Sequence, residues 1–176
     1  MTTRRRQMRA VAAALAVLPF ASVALAQEAG WHFSPVSGEG DRAALGCAYG
    51  STATSFTCLA VRCEDDFSTG LYIHTSRPGG DAGRWRLTVD EEQLELTAVA
   101  AAPYHAKVTD GAAAGIDRVR NGAVAYLHPL DGAAVPAEAI PLTGSFAAIG
   151  GALYYCAPRV PTSSASSAAA SSSAAP

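Results

Sequence analysis

From Arg84 to Val89 polar and apolar residues alternate without a break. Trp85, Leu87 and Val89 face one side, and Arg84, Arg86 and Thr88 face the other. Asp90-Glu91-Glu92 turns the chain, and Leu94, Leu96 and Ala98 resume the inward set. The stretch therefore predicts an antiparallel hairpin with one dry and one wet face. A second hairpin is predicted upstream: Leu45 to Tyr49 rises, Gly50 to Ser55 turns, and Phe56 to Cys63 returns as an aromatic and β-branched strand. Gly70 to Thr75 sets Leu71 and Ile73 against Tyr72 and His74, a further short strand that ends in a long turn from Ser76 to Asp81. Trp31 and Phe33 fit an edge strand whose aromatics pack down on the sheet, leaving His32 toward water.

Further along, the pattern weakens and then changes period. Pro103 argues against a helix through the alanine-rich stretch from Ala100 to Gly115, and Tyr104 to Thr109 reads as a strand. Asn121-Gly122 between β-prone flanks predicts a type I′ hairpin across residues 118–126. Ile140-Pro141-Leu142 is a short apolar strand. Beyond it Phe146, Ile149, Leu153 and Cys156 recur at helical spacing, with Thr143 or Ser145 able to cap the start. Gly150 and Gly151 cost that helix about 1 kcal/mol each relative to alanine, while letting it lie close on the sheet. The expected fold is mainly β: a single antiparallel β-sandwich or barrel-like domain over residues 27–160, with one short C-terminal helix.

Both ends of the chain lack core-forming pattern. Arg4, Arg5, Arg6 and Arg9 precede an apolar run from Ala10 to Ala24 and an Ala24-Leu25-Ala26 cleavage site, the layout of a signal peptide over residues 1–26. The run is shorter than the roughly 20 residues that span a bilayer, and Pro19 interrupts it, so no membrane span is expected after cleavage. Arg5-Arg6 is followed by Gln7 and Met8, a poor twin-arginine match, so ordinary secretion to a periplasmic or secreted location is expected. Residues 161–176 are almost wholly serine and alanine, with nothing to bury, and are expected to be disordered. Without the four leader arginines, nine Lys and Arg stand against fifteen Asp and Glu, a net of −6. A domain of that sign carries no footprint for nucleic acid or for an anionic membrane surface.

Export and an even cysteine count favour disulfides. Cys47 and Cys58 are symmetric about the turn between Thr52 and Ala53, so they can face each other across the ladder. Cys63 lies an odd number of residues beyond Cys58, on the face of Leu59 and Val61, and Cys156 remains for it. The expected bonds are Cys47–Cys58 and Cys63–Cys156. The Cys-x4-Cys spacing without a nearby histidine pair fits zinc poorly.

Candidate chemistry is sparse. His32, His74, His105 and His128 show no ligand spacing, and no metal or cofactor is expected. Ser145 lacks the flanking glycines of a nucleophile elbow. Asp90-Glu91-Glu92 and Glu64-Asp65-Asp66 read as solvated turns, the latter without the alternating oxygens of a calcium loop. The polar set of most interest is Arg62, Arg77, Arg84 and Arg86, which form a candidate anion-binding face if neighbouring strands align them. The alternative is an ordinary solvent face paired with Glu64 and Glu95. No catalytic residue is assigned.

A Cys58-Leu59-Ala60-Val61-Arg62-Cys63 strand in an exported β-rich domain, closed by Ile140-Pro141-Leu142-Thr143-Gly144-Ser145-Phe146-Ala147-Ala148-Ile149 running into a cysteine, resembles the invasion-associated locus B family of alphaproteobacterial exported proteins. The resemblance covers residues 31–159. It implies a β-sandwich with a C-terminal helix and a non-enzymatic role at the envelope, tied in pathogens to host-cell entry. The functional expectation is an exported binding or envelope-interaction module whose partner is an unknown protein or envelope component. The alternatives are a small secreted hydrolase acting on envelope polymers, or an inhibitor of such a hydrolase. Convergence of titratable groups in one cleft, His74 and His105 with carboxylates, is the feature that discriminates them.

Overall fold

The computed structural model describes residues 30–34, 43–132, 136–154 and 156. The leader and the serine- and alanine-rich tail lie outside the described residues. Every strand pairing is antiparallel. The first half holds β1 (Gly30–Ser34), β2 (Ala43–Cys47), β3 (Thr57–Cys63) and β4 (Thr69–Thr75) as a meander. Then come β5 (Gly83–Val89), β6 (Glu92–Ala100) and β7 (Ala106–Asp110), followed by α1 (Ala112–Asn121). The chain ends in β8 (Val124–Pro129), β9 (Glu138–Pro141) and α2 (Ser145–Ala152). Nine strands form one sheet in the order β1-β2-β3-β4-β7-β6-β5-β8-β9.

The sheet curls until its outermost strands approach each other. The Trp31 N–H donates to the Thr143 carbonyl just beyond β9 (3.1 Å), and the Tyr49 N–H donates to Ala139 of β9 (3.1 Å). The alternation of the sequence decides which face is enclosed: Leu59 and Val61, Leu71 and Ile73, Trp85 and Leu87, Leu96, Val108 and Leu127 all converge in the main core. In the hairpin of β5 and β6, Trp85 stands opposite Leu96 and Leu87 opposite Leu94, so the two inward sets that the pattern predicted share one face. Strands β2 and β3 are buried on both faces, because Ala43, Leu45, Cys47, Cys58, Ala60, Tyr72 and Tyr104 form a second cluster behind them.

The structure corrects the reading of residues 118–126. Asn121-Gly122 is the end of helix α1, whereas a type I′ hairpin was expected. The same dipeptide that makes a tight hairpin also stops a helix. The Asn121 amide donates back to the Asp117 carbonyl (2.8 Å), and the Gly122 N–H donates to Arg118 (2.8 Å). Glycine is needed at 122 for proximity, since a Cβ there would stand 2.2 Å from Val89 Cγ1. The described residues thus hold two helices, one more than the pattern showed. Gly115 lets α1 approach the sheet, a Cβ at that point meeting Leu71 Cδ2 at 2.8 Å.

Helix α2 forms where the change of period placed a helix, but its buried stripe is Ser145, Ala148, Ile149 and Ala152. Phe146, expected in the core, is 60% exposed and lies under the Arg120 guanidinium, 4.5 Å from its ring centroid. The cap is Gly144 in the left-handed region, without a side-chain bond from Thr143 or Ser145. Gly151 does permit close packing, but against the Phe33 ring, which is itself half-exposed. Both disulfides are those the face-counting gives: Cys47–Cys58 between directly opposed residues of β2 and β3, and Cys63–Cys156 across 93 positions. The second ties the end of β3 to the segment after α2.

Candidate binding cleft

Antiparallel pairing brings the start of β3, the end of β4, the start of β5, the end of β8 and the start of β9 to one end of the sheet. Thr57 stands opposite Thr75, Trp85 opposite Pro129, and Leu127 opposite Glu138. A cleft of about 300 Å³ opens among them. Phe56, Trp85, Leu127 and the prolines at 78, 129 and 136 make its walls apolar, while Arg77 and Glu138 bring charge. That volume is at the small end of ligand sites, and a mouth of this kind is a usual place for one.

A buried carboxylate holds these walls in place. Asp81 follows Gly79-Gly80, two glycines with positive φ, and the turn they permit drives its side chain inward until none of it is exposed. The Thr75 N–H donates to Asp81 Oδ2 (2.8 Å), and the Thr75 hydroxyl donates to Oδ1. The Thr75 hydroxyl in turn accepts the Arg77 N–H (3.1 Å). The Trp85 indole N–H donates to the Asp81 carbonyl (2.8 Å), which fixes the plane of the ring lining the cleft. Arg77 then lies over that ring, its guanidinium carbon 5.0 Å from the centroid.

The same carboxylate meets a histidine. His105 Nδ1 is 3.1 Å from Asp81 Oδ2 and 2.8 Å from the Thr75 carbonyl. A carbonyl can only accept, so Nδ1 carries hydrogen, and in the neutral ring Nε2 bears the lone pair. His74 stands edge-on to His105, with centroids 4.4 Å apart, and packs on Phe56 at 4.7 Å. Burial pushes the His74 pKa down to about 4. The neighbouring His105 adds to that downward push and Asp81 partly opposes it, about 4 being the net result. His105 therefore meets a carboxylate beside the cleft and His74 packs on His105, though none of the three lines the cleft itself. Asp81 went unassigned in the sequence because an acidic residue in a glycine-rich turn is indistinguishable there from a solvated one.

The four arginines are distributed differently. Arg62 lies on β3, four places from β5 in the sheet, and its Nε is 3.5 Å from Glu64. Arg84 bonds Asp131 through Nη2 at 2.9 Å, with its backbone N–H on the same carboxylate at 2.7 Å. Those bonds hold the Asp131 carboxyl below the usual carboxylate range. Arg86 reaches Glu95 at 3.7 Å. Among the described residues Arg77 has no carboxylate within ion-pair distance, and its Nη1 is buried without a hydrogen-bond acceptor.

Glu64, expected in a solvated turn, folds back over the sheet instead. It accepts from the Tyr72 hydroxyl (2.7 Å) and pairs with Lys107 (2.9 Å). Gly70 leaves the room it occupies, since a Cβ there would stand 2.2 Å from Glu64 Oε1. His32 and His128 lie on β1 and β8. Among the described residues, no group of three or more His, Cys, Asp and Glu is arranged to hold a metal ion, and no helix is long and apolar enough to cross a membrane.

Compared with known proteins, the chain matches no family model, no curated protein and no solved structure.

Proposed function

We propose that the protein is an exported binding module that acts at the cell envelope, the role that its resemblance to the invasion-associated locus B family implies. Two disulfides are consistent with an oxidising compartment. The observation that carries the binding reading is the cleft at the mouth of the sheet. Its walls are apolar, its Trp85 ring is held by the Asp81 turn, and Arg77 brings a cationic side chain with no carboxylate paired to it among the described residues. Rigid apolar walls with few polar groups are what a recognition site for a small ligand or a chain end requires. A fragment screen by ligand-detected NMR, mapped on backbone amides, tests it. Hits should move the amides of Phe56, Ser76, Arg77 and Glu138 together. Hits scattered over the surface, or none, would contradict it.

One observation favours a second reading, a small hydrolase. Asp81 and His105 form the base half of a nucleophilic triad, with Nε2 free to accept a proton at a half-exposed ring. Among the described residues no hydroxyl or thiol is hydrogen-bonded to His105 Nε2, so water would be the nucleophile. Turnover of p-nitrophenyl acetate by the protein, above that of an equal concentration of free imidazole and lost in His105→Gln, would support it. Background turnover would count against it.

A further inference from the structure

We propose that the cleft takes a small apolar carboxylate, with Arg77 as the group that receives the charge. This rests on the cleft being a binding site, and it adds the class of ligand.

Three features prepare Arg77 for that role. Its guanidinium carbon lies over Trp85, 5.0 Å from the ring centroid, and the indole is itself fixed by its bond to the Asp81 carbonyl. Its main chain is fixed as well, the N–H donating to Thr75 Oγ1 at 3.1 Å. The carboxylate that Arg77 feels, Asp131, is already engaged by the side chain and backbone of Arg84. A guanidinium stacked on a ring keeps its edge donors available for a planar oxyanion. Here one of those nitrogens, Nη1, is buried with no acceptor. A buried donor in that condition is costly, and if the side chain turns outward to meet a ligand oxygen the unmet donor is exchanged for a charge-assisted hydrogen bond.

The rest of the cleft sets the shape of what arrives with that oxygen. Phe56, Leu127 and Pro129 offer apolar surface and no donors from their side chains. Glu138, on β9, is exposed and lines the same cleft, so it repels a carboxylate from its own side and leaves the Arg77 side as the favourable seat. A cavity of about 300 Å³ holds a molecule of amino-acid to dipeptide size. The ligand class is therefore a carboxylate carried next to an aromatic or branched apolar group.

N-acetyl-phenylalanine and N-acetyl-phenylalanine amide match in shape and differ in charge, and titration calorimetry of each on the full folded protein is the test. The acid should bind about tenfold more tightly than the amide, the scale of one charge-assisted hydrogen bond. Added salt should reduce the preference. Arg77→Gln should remove the preference, so that this variant binds acid and amide alike. Arg86→Gln, which removes the same charge from an arginine paired elsewhere, should preserve the preference. If Arg77→Gln folds poorly, Arg77→Lys should keep part of the preference, since it retains charge and loses the fork. Equal binding of acid and amide by the wild type overturns the carboxylate inference and leaves the binding reading standing. A preference that survives Arg77→Gln overturns the assignment to Arg77. Failure of both probes, together with failure of the fragment screen, overturns both readings.

Discussion

His105 Nδ1 stands 3.1 Å from Oδ2 of Asp81, a carboxylate with no exposed surface. That carboxylate also takes two donors from Thr75, and the main-chain carbonyl of Asp81 takes the Trp85 indole N–H. Asp81 is thus the post on which the end of β4, the ring of β5 and the loop bearing His105 are hung. Removing it by Asp81→Ala strands the Thr75 N–H in the interior and frees Thr75 and His105 together. The expected loss is about 3 kcal/mol in urea unfolding. His105→Gln, which takes away only the half-exposed partner, should cost clearly less. If the two variants lose equally, Asp81 is held by His105 alone and the post is misplaced.

Acid should weaken the fold through His74. Its pKa in the folded state is pushed down to about 4, mainly by burial, below the ordinary 6.5. Between those values the unfolded chain binds a proton that the folded chain refuses, so folding stability rises with pH across this window. The His74 contribution is fully present above about pH 6.5 and declines as pH falls toward 4. The ring is partly exposed, so screening keeps the effect modest. The melting temperature followed from pH 7 to pH 4 should fall in the wild type and fall less in His74→Gln. Parallel curves would show that His74 does not carry it.

The two disulfides should differ in access. Cys47 and Cys58 are both fully buried, whereas Cys63 and Cys156 are each partly exposed. Mild reductant followed by alkylation should therefore label Cys63 and Cys156 first. Losing that bond releases a loop spanning 93 positions. Chain-entropy arguments put closure of a loop near 100 residues at about 4.7 kcal/mol, so the half-reduced protein should melt well below the intact one. Labelling of Cys47 and Cys58 ahead of the other pair would contradict this reading.

Much of the sheet was legible because its signals are local. The alternation of Trp85, Leu87 and Val89 both makes a strand and says which face is dry, and the structure buries those three. Cys47 and Cys58 could be paired because a hairpin puts residues equidistant from its turn opposite each other. Helix α1 was hidden because Asn121-Gly122 serves two structures, and the choice is made by packing of Gly115, Ile116 and Val119 against the sheet. The cleft was hidden for another reason. Phe56, Arg77, Leu127 and Glu138 are remote in sequence and meet only after the strand order is known. The four arginines looked equivalent as residues, and only their neighbours separate Arg77 from the rest.

Occlusion of the cleft tests the central claim most directly. Ser55 is exposed and lines the cleft, and its backbone alone makes the turn bonds to Thr52. Ser55→Trp should therefore fill the mouth while leaving stability within about 0.5 kcal/mol, as for other exposed positions. The measurement is the affinity of the fragment hits for this variant against wild type at matched melting temperature. The account predicts that binding is lost while the fold is kept. Undiminished affinity in Ser55→Trp would mean that the ligands bind elsewhere and that the cleft is not the functional site.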